Sequence, residues 1–146
     1  MAVKSAYQMP DIFTYGSLMF WPVWSKVVTG NYKSMPGKIF GVQRKCIKEE
    51  TYPCIVGTET DEAVEGVVYF HVSDEDICRL DLFEGQYYRR RKIKCMLADG
   101  RLIDTESYLF RKEFYHLVED KDWDMKRFES EGIYHFINRY KGFCTR

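Results

Sequence analysis

Leu80-Asp81-Leu82-Phe83-Glu84-Gly85-Gln86-Tyr87-Tyr88-Arg89-Arg90 places a carboxylate where a helical pattern asks for an apolar side chain. Just upstream, Ser73 followed by Asp74, Glu75 and Asp76 has the make-up of a helix start. The hydroxyl can cap an orphan backbone N–H, and the acids sit at the positive end of the dipole. Ile77, Leu80 and Glu84 then fall at i, i+3 and i+7, so they share one stripe of that helix. Gly85 supplies a helix stop, and the chain turns into Tyr87 and Tyr88 with cations behind them. A Glu held among apolar and aromatic groups has its charged form disfavoured, which moves its pKa up toward the range useful for proton transfer near neutral pH. An exposed Glu at a frayed helix end, paired with an arginine, fits the same spacing, and the stretch alone leaves both readings open.

On the N-terminal side, residues 1–10 read as a short polar lead. Ile12, Phe13, Thr14 and Tyr15 form a β-prone tetrad stopped by Gly16 and Ser17, with a helix-compatible run from Leu18. A strand end of this kind leaves successive N–H groups free to receive a carboxylate or oxyanion, although a plain strand-to-helix turn has the same sequence. Pro22 suits a first helical turn, and Trp21, Trp24 and Val28 predict one aromatic face, expected in the core. Three β segments follow. Lys38 to Ile47 predicts one strand with Gly41 as a bulge, and Tyr52-Pro53 marks a turn or edge before Cys54 to Gly57. Val64 to Val72 runs through Val67, Val68, Tyr69 and Phe70, which predicts burial on both faces.

Beyond the opening stretch, Tyr88 to Leu97 reads as a strand with Ile93, Cys95 and Leu97 facing inward. Asp99-Gly100 is a hairpin signal that pairs it with Leu102 to Phe110. Residues 111–146 read as largely helical, with Ser130 capping a helix through Ile133, Phe136, Ile137 and Tyr140 that ends at Gly142. The whole of 1–146 therefore reads as one domain of the α+β class, a strand-rich body with helices at three places.

The totals narrow the function classes. The 146 residues carry 22 basic and 22 acidic side chains, so no global field draws the chain to nucleic acid or to anionic lipid. Arg89-Arg90-Arg91-Lys92 is a cation run, but a strand divides it between two faces. Aromatics make up 16% of the chain, a surplus that suits pocket walls or core equally. The five cysteines contain no CxxC pair and the three histidines lie far apart, so neither a disulfide framework nor a metal site is expected. No charged leader precedes an apolar run and no stretch approaches a membrane span, so a cytoplasmic location is expected.

Phe13-Thr14-Tyr15-Gly16-Ser17-Leu18, Tyr52-Pro53, and Leu80-Asp81-Leu82-Phe83-Glu84-Gly85 followed by Tyr88 and Arg90 form an ordered set. Together they resemble the γ-glutamylcyclotransferase-like superfamily and, within it, the avirulence-induced-gene-like branch. The resemblance runs from Asp11 to about Phe110. It implies a small closed mixed β-barrel decorated by helices. It also implies that the backbone of Tyr15, Gly16, Ser17 and Leu18 binds a γ-glutamyl group, that Glu84 is the catalytic acid/base, and that Tyr88 and Arg90 line the same cavity. The family includes members whose chemistry was never shown, so the resemblance bears more on fold than on reaction.

The chemistry such residues suit is lactam formation, in which the substrate's own α-amino group attacks its γ-carbonyl. The products are 5-oxoproline and a free amine, and the step requires no cofactor. The expected partner is a small γ-glutamyl compound. The leaving amine and the oligomeric state are not fixed by the sequence, although the Gly16-Ser17-Leu18 stretch points away from glutathione. Two other readings share these residues: a metabolite-binding or regulatory module on the same barrel, and a related γ-glutamyl transfer or cleavage.

Overall fold

The computed structural model describes residues 9–139. Strand β1 (Ile12–Thr14) leads through a tight 3-10 turn (Ser17–Met19) into helix α1 (Trp21–Val27). Strands β2 (Ser34–Phe40), β3 (Val42–Ile47), β4 (Pro53–Gly57) and β5 (Ala63–Tyr69) follow, then helix α2 (Asp74–Glu84) and a second 3-10 turn (Gly85–Tyr87). Strands β6 (Tyr88–Leu97) and β7 (Leu102–Phe110) come next, then a third 3-10 turn (Lys112–Leu117) and strand β8 (Val118–Asp122). The described chain ends in α3 (Met125–Arg127), a π turn (Phe128–Gly132) and α4 (Ile133–Arg139).

Strands β1, β5, β2, β6 and β7 close into a barrel in that order, and β4, β3 and β8 form a separate three-stranded sheet. The barrel is mixed because β1 is antiparallel to β5 but parallel to β7. That parallel seam is short in ladder bonds and is reinforced by hydroxyls. Ser107 Oγ donates to the Phe13 carbonyl at 2.8 Å, and Tyr15 Oη donates to the Tyr108 carbonyl. The β6–β7 hairpin has the geometry its sequence predicts, with Gly100 at φ 93° and its N–H returning to Leu97 O at 2.9 Å.

Alternation along β1 feeds two cores at once. Phe13 and Tyr15 join Ile39, Val64, Val68, Cys95 and Leu97 in one cluster, while Ile12 joins Trp24, Tyr69, Val72, Leu80 and Phe110 in the other, under the helices. Trp24 lies flat against Tyr69 with ring centroids 3.6 Å apart, a contact of the kind whose truncation to Ala costs about 3 to 5 kcal/mol.

Helix α2 starts as its sequence predicts, with Ser73 Oγ accepting from Asp76 N at 3.2 Å. Asp76 is fully buried and does more than favour the dipole. Its carboxylate accepts from Thr29 N (3.0 Å), Gly30 N (2.9 Å), Tyr32 Oη (2.6 Å) and Arg79 Nη1 (2.9 Å), which fastens the loop after α1 to the start of α2.

Several expectations change. Lys38 to Ile47 is two strands, not one. Gly41, at φ 78°, is the corner where the chain leaves the barrel for the outer sheet, a conformation that favours glycine. Trp21 is 65% exposed, so the expected aromatic face of α1 buries Trp24 and Val28 but not Trp21. In β5, Val68 and Tyr69 are buried whereas Val67 and the following Phe70 are half-buried. The tail contains a strand, β8, paired with β3. Its helix is capped by Asp124, which accepts from Arg127 N at 3.0 Å, while Ser130 sits inside the π turn. Tyr140 and Gly142, expected at the end of that helix, lie outside the described residues.

Candidate active site

The 3-10 turn after β1, the C-terminal end of α2 and the first residue of β6 meet around a cavity of about 100 Å³. Tyr15, Gly16, Ser17, Leu18, Glu84 and Tyr88 all line it, so six of the seven residues singled out in the sequence come together. Thr14, Tyr52, Pro53, Phe83, Tyr108 and Phe136 complete much of the wall.

The loop is held from three sides. Arg44 Nη1 donates to the Tyr15 carbonyl at 2.7 Å, and Tyr69 Oη donates to the Leu18 carbonyl at 3.3 Å. Pro53 packs so closely that a Cβ on Gly16 would lie 2.7 Å from its Cδ. The glycine is therefore required by space. The carbonyls of Gly16 and Ser17 accept from Met19 N and Phe20 N, whereas the N–H groups of Gly16, Ser17 and Leu18 have no acceptor among the described residues. A first helical turn leaves such donors unpaired.

Glu84 is the last residue of α2, followed by Gly85 at φ 75°. Its pKa is pushed up to about 8, first by desolvation and second by the negative charge of Asp81 one turn back. No hydrogen bond to the carboxylate offsets these two effects among the described residues. The cavity walls stay neutral around it. Burial holds the Tyr15 and Tyr88 hydroxyls well above the ordinary tyrosine range, and the Glu84 charge adds to the effect on both. Tyr88 Oη donates to the Pro53 carbonyl at 2.7 Å and so ties the Tyr52-Pro53 wall to β6.

Arg90 is the exception. It does not line the cavity; its guanidinium binds Asp81 through Nε (3.0 Å) and Nη2 (3.2 Å) and Glu106 through Nη1 (2.5 Å). Arg44, Tyr69, Asp81 and Tyr108 were not singled out as site residues. Arg44 and Tyr108 each sit in a strand whose alternation says nothing about which carbonyl or carboxylate lies opposite.

The closed mixed barrel with its flanking helices is a γ-glutamylcyclotransferase-like fold. A solved γ-glutamyl cyclotransferase superposes with a TM-score of 0.60 at 17% identity, covering 70% of this chain and 66% of its own. Residues 12–125 match the family described as γ-glutamyl cyclotransferase, AIG2-like, and the chain belongs to that family, which acts on small γ-glutamyl compounds. Among its relatives, the Arabidopsis thaliana AIG2-like protein D is 27% identical over 142 residues, covering 93% of this chain and 90% of the relative. A Methanocaldococcus jannaschii protein, named as a candidate γ-glutamylcyclotransferase, is 30% identical over 119 residues, covering 79% of this chain and 96% of the relative. Among the described residues, no helix is long and apolar enough to cross a membrane.

Proposed function

We propose that the chain is a γ-glutamylcyclotransferase that converts a γ-glutamyl amine or γ-glutamyl amino acid to 5-oxoproline and a free amine, in a reducing, cytoplasmic setting. The observation that carries this reading is Glu84: a carboxyl with a pKa of about 8 on the wall of a cavity it shares with three N–H groups, where among the described residues neither the carboxyl has a compensating hydrogen bond nor the N–H groups an acceptor. At about 100 Å³ the cavity is smaller than the roughly 150 Å³ that takes one benzene ring, so it encloses at most part of a γ-glutamyl group. The leaving amine then projects outward.

In the reaction, the substrate α-nitrogen bonds to the carbon of the γ-carbonyl group while Glu84 accepts the proton that nitrogen sheds. The amide bond from that carbonyl carbon to the departing nitrogen then breaks as Glu84 returns the proton to it. A single carboxyl with a pKa near the working pH can fill both roles, an acid–base contribution of about 10²- to 10⁴-fold. Folding the substrate so that its own amine faces the carbonyl contributes about 7 to 11 kcal/mol more. The free N–H groups of Gly16, Ser17 and Leu18 are the donors available to the developing oxyanion or to the substrate carboxylate, each oxyanion donor being worth on the order of 3 kcal/mol.

The test is 5-oxoproline release from a panel of γ-glutamyl amino acids, γ-glutamyl-ε-lysine and glutathione, using wild type beside Glu84→Gln. The wild type is expected to turn over at least one member, and the folded variant to lose at least about 100-fold in rate. A variant that keeps wild-type turnover removes Glu84 from the mechanism. A folded wild type that is silent across the panel sets the reaction aside in favour of a binding module on the same barrel.

A further inference from the structure

Arg90 and Asp81 stand beside the cavity rather than in it, and their contacts are too specific for a loose surface pair. The guanidinium grips both oxygens of Asp81, at 3.0 and 3.2 Å, and reaches Glu106 with its remaining arm. Asp81 Oδ1 also accepts from Tyr108 Oη at 2.5 Å, and Tyr108 is a cavity wall. Three elements, α2, β6 and β7, are thereby joined through one carboxylate at the position one helical turn before Glu84.

We propose that Asp81, clamped by Arg90, is a positioning residue of the candidate active site: it fixes the Tyr108 hydroxyl at the cavity wall and keeps a stationary negative charge beside Glu84. This rests on the reading of Glu84 as acid/base and adds how its ionisation is set. Arg90 then serves the chemistry without touching substrate, because three of its N–H groups are already committed to carboxylates.

The charges around Glu84 allow a signed test. Facing it are the tyrosines Tyr15 on the loop after β1, Tyr52 before β4, Tyr88 at the start of β6 and Tyr108 on β7, together with Asp81 on its own helix. Cys54 lies near the same tyrosines, and Arg44 near Tyr15. All the tyrosines are held neutral by burial. Asp81 is thus the carboxylate that resists Glu84 ionisation, and Arg90 the cation that moderates Asp81. Neutralising Asp81 should make Glu84 ionise more easily, and weakening the Arg90 clamp should do the reverse.

The experiment follows the Glu84 carboxyl carbon by NMR in full-length protein labelled at glutamate, assigned with Glu84→Gln, across Asp81→Asn, Arg90→Gln and Tyr108→Phe. The Glu84 midpoint is expected to fall in Asp81→Asn and to rise in Arg90→Gln, with the acidic limb of kcat/KM moving the same way in each. Tyr108→Phe, which removes only the hydroxyl, is expected to lower kcat several-fold with a smaller change in KM. An unmoved midpoint in the two charge variants, or shifts of the same sign, overturns the proposal. Should one charge variant fail to fold, the other and Tyr108→Phe still decide it. Because the titration needs no turnover, wild-type silence on the substrate panel would reject the reaction while the midpoints still read the Asp81–Arg90 pair.

Discussion

Glu84 is a residue at which stability and activity should pull apart. Its pKa in the fold is about 8, against about 4.3 in an unfolded chain. Between those values the folded protein binds the extra proton, so its stability falls as pH rises through that window and levels off above it. Glu84→Gln removes the titration. We expect the variant to melt above wild type at pH 8, the two to converge near pH 4, and catalysis to be lost. Melting curves that run parallel across this range would contradict the raised pKa. The i, i+3, i+7 stripe from Ile77 made this residue legible in the sequence, because helical period places a side chain on a face whatever its chemistry. Arg90 was placed at the cavity by the resemblance and not by periodicity, and it does not line it. Strand alternation gives Tyr88 and Arg90 the same face, but two residues advance the chain by roughly 6.8 Å, which carries Arg90 past a small cavity and onto Asp81.

At the scale of elements, the loop after β1 and the start of α2 depend on contacts far away in the chain. Gly16 is pressed by Pro53, so Gly16→Val must displace the proline ring that forms the opposite wall. We expect about 1 to 3 kcal/mol of destabilisation and at least about a tenfold weaker substrate KM, measured by denaturant melts and steady-state kinetics. Unchanged KM would remove the loop from the substrate site. The Asp76 carboxylate gathers its donors from Thr29, Gly30, Tyr32 and Arg79, and burial alone would raise its pKa, yet these hydrogen bonds hold it below the usual carboxylate range. Asp76→Ala leaves those donors around an empty space, and we expect a loss of roughly 3 to 5 kcal/mol in denaturant unfolding. A loss under 1 kcal/mol would mean the loop holds without it. In the sequence Asp76 is indistinguishable from Asp74 and Glu75 as a first-turn acid, since Thr29, Gly30 and Tyr32, which set it apart, lie more than forty residues upstream. Strand β8 was equally hidden: Val118–Asp122 is short, charged and without alternation, and only pairing with β3 makes it a strand.

Across the whole molecule, the α+β class was readable because the hairpin at Asp99-Gly100 and the apolar β5 run agreed with one another, whereas the closed barrel came only from the resemblance that the ordered short motifs carry. The division into a barrel and an outer sheet was not, since it turns on a single corner at Gly41 that a bulge would mimic. The assembled charges then set a stability profile that neither core determines. Asp76, with its depressed pKa, contributes stability present above about pH 3.9 and lost as pH falls through its folded value. Glu84, with its raised pKa, contributes stability present below about pH 4.3 and lost as pH rises toward 8. The buried thiol of Cys54, pushed up to about 12, and the buried tyrosines lower stability only above the values at which their unfolded counterparts ionise, about 8.5 for the thiol and about 10 for the tyrosines. The two carboxyls therefore place the maximum on the acid side of neutrality, at about pH 4. Thermal unfolding from pH 3 to 9 should show Tm highest there and declining to pH 8, with the decline flattened in Glu84→Gln and the acid-side fall flattened in Asp76→Asn. A wild-type Tm that stays level from pH 5 to 8 would mean that Glu84 ionises in the folded protein as easily as in water, and with that the proton-shuttling role assigned to it would lose its physical basis.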